Sequence, residues 1–415
     1  MAVKRKDAPV RDLRSALEFL RGMQGQLVET EVEVDPAAEL SGVYRYVGAG
    51  GTVKRPTRTN GPAMLFKNLK GHPGASAAIG VLASRERVAR LLGCAKEDLG
   101  RLLCESVAPP IAPVLDESPA PCQEVVHLAS EPDFDLFRLL PAPTNTPVDA
   151  GPYITLGMCC ATHPDTGCSD VTIHRLCIQG RDELSIAGAI RGEPVRLCRC
   201  VSVAERAIAH AEFVIEGEIV PGVRVQEDQH SGTGFAMPEF PGYNGVASSE
   251  CWLLKVKALT HRRAPILQTC IGPSEEHVNM AGIPTEASIL GMLERAMPGR
   301  VKNVCAHRSG GGKYMAILQM CKKAPTDEGR QRQAALLAFS AFPELKHVVL
   351  AVREAPLSAV HLRNMYELAR FGAVVFPPVP AWYAKPQSLE EAERQIAARI
   401  LAQFGVEAPG APCWG

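Results

Sequence analysis

The residues able to do chemistry gather between Cys168 and Gly245. Arg175 ends the run Ser169-Asp170-Val171-Thr172-Ile173-His174-Arg175, carboxylates follow in Arg181-Asp182-Glu183, and a glutamate sits in the turn Met237-Pro238-Glu239-Phe240-Pro241-Gly242-Tyr243. Read as a strand, this run places Asp170, Thr172 and His174 on one face and Val171, Ile173 and Arg175 on the other. Arg175 then projects from an apolar face, and because a guanidinium cannot shed its charge it needs a carboxylate, for which Glu239 is the candidate. An arginine and a glutamate in one pocket can bind a substrate carboxylate and hand over a proton, as a decarboxylase or an acid-base lyase requires. The plainer reading is a structural ion pair. Asp170 and Glu183 offer the oxygen ligands that magnesium or manganese takes, especially when a phosphate completes the shell, or else they are solvated turn residues. His174, His210 and His230 read as core or surface histidines. Ser309-Gly310-Gly311-Gly312-Lys313 lacks the spacing and trailing hydroxyl of a phosphate loop and reads as a flexible turn before a strand. Ser274 ahead of Glu275 and Glu276 makes a good helix start.

These residues need a frame. At 415 residues and 46% apolar composition the chain has room for two or three domains, each with a core. Lys plus Arg and Asp plus Glu are equal at 45 each, so no excess charge draws it to nucleic acid or an anionic membrane, and a small or neutral partner is expected. No signal-peptide core and no apolar run of about 18 residues occur, which predicts a cytosolic protein. The 14 cysteines are spread without a Cys-x-x-Cys pair and read as reduced core residues.

The pattern opens as α/β, with a helix capped by Asp12, a strand from Leu27 to Val34, another at 62–66, and a helix from Ser84 to Leu92 whose arginines 85, 87 and 90 read as a solvated face. A proline-dense stretch from Pro109 to Pro147 marks a boundary near residue 115. Strand signals then follow at 153–160, 171–179, 195–201, 211–219 and 251–258, predicting an antiparallel barrel or sandwich. After Pro265 helices at 288–297, 330–342, 357–371 and 389–404 alternate with strands at 314–320, 347–352 and 373–376, which favours a parallel sheet. The expected divisions are 1–115, 116–300, 301–350 and 351–415.

Several stretches resemble the UbiD-type decarboxylases, prenylated-flavin enzymes that remove carbon dioxide from aromatic and unsaturated acids. They are Asp12-Leu13-Arg14, the segment from Gly61 to Phe66, Asp149-Ala150-Gly151-Pro152-Tyr153-Ile154-Thr155, the strand ending at Arg175, the segment from Ala187 to Gly192, that from Glu212 to Glu218, and the Pro238 to Tyr243 turn. The resemblance covers roughly residues 12–350, and around Ile271 to Ser288 and Asp327 to Lys346 it is closest to the branch acting on hydroxybenzoate, gallate-like or heteroaromatic, pyrrole-type acids. It implies an α/β protein whose central domain is an antiparallel split β-barrel that binds flavin. It further implies Arg175 as the catalytic arginine, Glu239 as proton donor, and Thr172, Ile173 and Arg175 along prenylated FMN. Asp170 and Glu183 become manganese ligands, with potassium also at the flavin phosphate. The family's second glutamate, five residues before Glu239, is Gly234 here, leaving Glu227 or Asp228 as its substitute. A flavin prenyltransferase as cofactor supplier and a homodimer or larger homo-oligomer are implied as well.

Two stretches depart from that pattern. The family carries several dozen more residues between Arg175 and Glu183, including a metal-ligating histidine, where only seven stand here. From residue 351 onward the chain instead resembles the end of UbiX-type flavin prenyltransferases, which would place Arg353 on a flavin phosphate, have Glu354 assist prenyl transfer, and set Tyr383 with Arg399 on the prenyl phosphate. Three readings result: a UbiD-type decarboxylase, a catalytically impaired remnant that survives as a folded or partner-binding protein, and a prenyltransferase acting through the tail.

Overall fold

The structure is a computed structural model. It describes residues 10–49, 60–106, 112–162, 165–166, 169–184, 196–239, 242–327, 329–342, 345, 347–351, 356–370, 373–380, 382 and 385–402, without the side chains of 169–171, 183–184, 347–351 and 401. The chain forms two compact units, one made of Lys4–Lys96 and Pro109–His277, the other of Glu97–Ala108 and Val278–Gly415. This partition follows contacts rather than chain order, so it cuts across the divisions drawn from composition.

In chain order, α1 (Leu13–Arg21), β1 (Leu27–Thr30), α2 (Glu39–Val47), β2 (Ala63–Phe66), β3 (Ser76–Ile79) and α3 (Arg85–Leu91) come first, and α4 (Leu99–Ser106) belongs to the second unit. Asp12 starts α1 through a capping box, its side chain accepting from Ser15 N while Ser15 Oγ accepts from Asp12 N. The expectation that the α3 arginines face solvent fails at Arg87, which is 0% exposed. Its guanidinium donates to the carbonyls of Val81, Gln26, Gly61 and Gly80, so backbone acceptors around it take up its N–H groups.

The middle of the chain supplies β4 (Val114–Leu115), β5 (Val125–Leu128), α5 (Leu136–Leu139), β6 (Tyr153–Thr162), β7 (Ser169–Gly180), β8 (Glu183–Leu184), β9 (Arg196–Arg199), β10 (Arg206–Ile208), β11 (Phe213–Val225), β12 (Phe235–Pro238), β13 (Asn244–Val246) and β14 (Cys251–His261). Most of these strands build one antiparallel sheet in the order β11, β14, β8, β7, β6, with β5 also on β14. Its core holds Phe134, Leu136, Leu140, Leu176, Ile178 and Leu259. The antiparallel pairing agrees with the alternation read from sequence. Closure into a barrel does not: among the described residues no ladder joins β6 to β11. The sheet's middle is also thin, because β8 spans two residues and carries two pairs to each neighbour.

Next, β15 (Ile266–Thr269) returns to the first sheet, parallel to β3, giving the order β1, β2, β3, β15. There follow α6 (Glu275–Ala296), β16 (Val301–Ala306), β17 (Met315–Met320), α7 (Arg330–Ala341), β18 (His347–Ala351), α8 (Ala359–Arg370), β19 (Val374–Phe376) and α9 (Leu389–Ala402). Strands β17, β18 and β19 run parallel with helices as crossovers, as the alternating pattern predicts. Ser274 Oγ accepts from His277 N at the start of α6. The glycine run before β17 is a tight turn: Gly312 has φ +77°, and a Cβ there would lie 2.5 Å from the Val278 carbonyl oxygen. Among the described residues no helix is long and apolar enough to cross a membrane.

Candidate active site around Arg175

The register between β6 and β7 pairs Met158 with Ile173 and Gly157 with His174, then shifts so that Ile154 faces Leu176. Two residues, Thr155 and Leu156, therefore stand against Arg175 alone. Such a bulge bends its strand and re-aims the side chains beside it. Thr155 fixes the bulge, its Oγ1 accepting from Cys270 N at 2.8 Å and meeting Thr269 Oγ1 at 3.0 Å.

Arg175 lies between two carboxylates. Nη1 donates to Glu239 Oε1 at 2.8 Å, Nε to Glu227 Oε1 at 3.1 Å, and Nη2 to Glu227 Oε2 at 3.2 Å. Its side chain is 31% exposed, that of Glu239 is 25% exposed and that of Glu227 only 3%. Burial works to lower the Arg175 pKa, but Glu227, Tyr153 and Glu239 outweigh it and the net shift is upward. Glu227 also accepts from the Tyr153 hydroxyl at 2.9 Å and from Ser248 N at 3.1 Å. Gln179 Nε2 holds the Glu227 carbonyl at 2.9 Å. Glu239 is held by its backbone, its N–H donating to the Tyr243 carbonyl and its carbonyl accepting from Gly242 N. Gly245 must be small, since a Cβ there would come within 3.0 Å of Glu239 Oε1.

One guanidinium is thus shared by two carboxyl groups, one buried and one accessible. Among the described residues, three of the five guanidinium N–H groups are engaged in these contacts.

Of the residues singled out from sequence, Arg175, Glu227 and Glu239 thus come together. Of the two candidate substitutes for the second glutamate, Glu227 lies against Arg175, whereas Asp228 closes its own turn, accepting from Gly234 N and Gln226 Nε2. Ile173 is on the Arg175 face and pairs with Met158, at 36% and 40% exposure, an exposed apolar pair beside the arginine. Thr172 alternates to the other face and does not join them. His174 shares that face; burial, then Arg175, pulls its pKa down to about 4, and its Nδ1 is buried without a partner. Asp170 on β7 and Glu183 on β8 have side chains outside the described residues, as are Arg353, Glu354 and Tyr383, while Arg399 lies on α9. Among the described residues no three His, Cys, Asp or Glu side chains cluster to hold a metal. Sequence reasoning missed Tyr153 and Ser248 as anchors of Glu227; the only signal was the place of Tyr153 in the 149–155 stretch. A cavity of about 630 Å³ is lined by Leu176 and Met158 but not by Arg175, Glu227 or Glu239.

Three domain models of one family match the chain. They are the 3-octaprenyl-4-hydroxybenzoate carboxy-lyase N-terminal domain over residues 20–107, its Rift-related domain over 114–185 and 179–275, and its C-terminal domain over 278–370. The chain belongs to the UbiD family. It is 46% identical over 395 residues to gallate decarboxylase of Lactiplantibacillus plantarum, spanning 82% of this chain and 80% of that protein. Among solved structures it is similar to apo 3,4-dihydroxybenzoic acid decarboxylase from Enterobacter cloacae, with TM-score 0.78, 46% identity, and 87% and 85% of the two chains covered. It is also similar to the UbiD-class enzyme HmfF from Pelotomaculum thermopropionicum in complex with prFMN, with TM-score 0.70, 28% identity, and 86% and 89% covered.

The UbiD match is interrupted inside the Rift-related domain, whose two pieces meet at residues 179–185. The alignment with gallate decarboxylase spans 395 positions but only 82% of this chain, so it too contains gaps on this chain's side. A separate likeness, 48% identical over 71 residues to a probable UbiX-like flavin prenyltransferase of Streptomyces sp., covers 17% of this chain and 36% of that protein. The UbiD carboxy-terminal match runs to residue 370, through α8, and so extends past the junction expected at 350.

Proposed function

We propose that this UbiD-family protein carries out non-oxidative decarboxylation of a hydroxylated aromatic acid, hydroxybenzoate or gallate-like, with prenylated FMN. The observation that carries this reading is Arg175 held between a buried and an accessible glutamate. The relatives named for gallate and 3,4-dihydroxybenzoic acid favour a ring bearing hydroxyls over a pyrrole-type acid. HmfF in complex with prFMN supports the choice of cofactor.

Bound prenylated FMN supplies the electron sink. The free N–H groups of Arg175 grip the substrate carboxylate and set the scissile bond, while Glu227 fixes the guanidinium from behind. When that carbon–carbon bond breaks and carbon dioxide leaves, Glu239 gives its proton to the ring carbon and regains one from solvent. Ile173 and Met158 would line the flavin ring. Asp170 and Glu183 would hold manganese, with potassium, at its phosphate. The positions lacking between β7 and β8 are those that would complete the split barrel and the cofactor wall, which favours a second reading in which the triad persists but the flavin is held weakly. We assign the tail to the fold of the second unit, because its likeness takes in little more than a third of a prenyltransferase.

The deciding experiment is co-expression with a complete flavin prenyltransferase, followed by the absorption spectrum, metal content and carbon dioxide release from 3,4-dihydroxybenzoate and gallate. Bound flavin with release from either acid is expected. Bound flavin with no release from either sinks the first reading, and colourless protein selects the second.

A further inference from the structure

Two buried residues of α2 connect to the turn that carries Glu239. Ser41 and Arg45 stand four positions apart on that helix, and therefore on one face, at 0% and 7% exposure. Arg45 Nη2 donates to the Gly272 carbonyl. Gly272 in turn lies against the chain at Glu239: a Cβ there would collide with the Pro238 carbonyl oxygen and come within 3.0 Å of the Glu239 carbonyl carbon. Glycine alone lets two backbones approach so closely, so a shift at 272 passes directly to 238 and 239.

Ser41 makes a second connection. Its hydroxyl donates to Asn145 Oδ1 at 2.8 Å, Asn145 N donates to Asp149 Oδ2 at 2.9 Å, and Ala150 N donates at 2.8 Å to the carbonyl of Ala236 on β12, three residues before Glu239. Both paths leave one face of α2 and end on the segment that leads into Glu239. Arg45 is poorly paired for a buried cation. Its Nη1 is buried with no partner among the described residues, and burial lowers its pKa against the pull of Asp149. Such a guanidinium is costly to stability, and what it returns is a fixed Gly272 carbonyl.

We propose that Arg45, with Ser41 beside it, is a positioning residue for decarboxylation, bracing the Glu239 turn from α2. The inference rests on the reading of Glu239 as proton donor. Arg45 acts through Gly272 and not on the substrate: it sets where the Glu239 backbone stands, and a misplacement of about 1 Å can cost about a hundredfold in rate.

The test uses the full-length protein co-expressed with a complete flavin prenyltransferase. With 3,4-dihydroxybenzoate or gallate, Arg45→Met should cut kcat by about tenfold to a hundredfold at nearly unchanged KM, and Arg45→Lys, which keeps a donor for Gly272, should recover most of the rate. Arg45→Met at full rate, or a fall carried by KM, overturns the brace. Peptide-level hydrogen exchange on the same proteins as purified gives a readout independent of turnover. Peptides covering 236–239 and 270–272 should exchange about tenfold faster in Arg45→Met while those of α1 stay unchanged, and unaltered or uniformly faster exchange rejects the proposal. Wild type that shows no turnover, beside a variant with this local pattern, would defeat the decarboxylase reading and leave the brace standing. If Arg45→Met fails to fold, Ser41→Ala decides: faster exchange at 236–239 supports the brace and wild-type exchange there overturns it.

Discussion

Glu227 and Glu239 touch the same guanidinium, yet their surroundings divide the labour. Every side-chain contact described for Glu227 comes from a donor: two from Arg175, one from Tyr153 and one from Ser248. Glu239 receives Arg175 Nη1 alone and is open to solvent. Glu239→Gln should therefore cut kcat by about 10²–10⁴ while leaving binding of a non-reacting substrate acid nearly intact, and Arg175→Ala should lose both. Steady-state rates alongside acid titrations measure the split, and a Glu239→Gln enzyme at full rate would remove the assigned proton donor. A second carboxylate sets a different dependence. Glu276 is 0% exposed, its oxygens accept from Gly80 N at 2.7 Å and Leu82 N at 2.8 Å, and burial raises its pKa from 4.5 to about 7. A folded value above the unfolded one means the folded state holds that proton more tightly. Its contribution is complete below about pH 4.5 and fades as pH rises through 7, by about 3 kcal/mol at most. The urea midpoint of wild type should drop relative to Glu276→Gln between pH 5 and 8, and parallel profiles would contradict it.

Among the described residues, β14 is paired on both sides, with β11 along one flank and β5 and β8 along the other, whereas β6 is an edge. Amides of residues 157–162 should exchange more than about tenfold faster than those of 256–260, a difference that peptide-level hydrogen exchange reads directly. Equal protection would mean that the two-residue β8 couples the halves more firmly than its ladder suggests. Strands β6, β7 and β14 were legible because each alternates over many residues, and α1 because Asp12 marks its start. The helix α2 was not, since Ala38 before it has φ +67° and offers no capping side chain. The same limit applies to the site. Alternation placed Arg175 and Thr172 on opposite faces, but nothing in the local sequence brings Glu227 to Arg175, because that contact depends on a long-range approach and on the bulge at Thr155.

At the scale of the molecule, the second unit has a core of its own in which Leu293, Val304 and Leu318 meet Leu368 and Ala373. The segment beyond residue 350 is therefore built into the sheet through β19 rather than appended to it. A chain ending at Arg370 loses Ala373 and β19 and leaves β18 as a bare edge. It should melt at lower temperature and aggregate more readily, whereas an unchanged melt would show that the tail contributes nothing to the core. Leu293→Ala, at 0% exposure, should cost about 2–5 kcal/mol in chemical unfolding.

The interruption at 179–185 falls where β7 turns into β8, with Gly180 opposite Glu183 and only Arg181 and Asp182 between them. A hairpin whose ends already touch can admit a long excursion at slowly rising entropic cost. That makes this turn a permissive graft point: a relative's longer segment could be spliced in there without breaking either flanking ladder, and tighter flavin retention in the chimera would trace the difference to this one place.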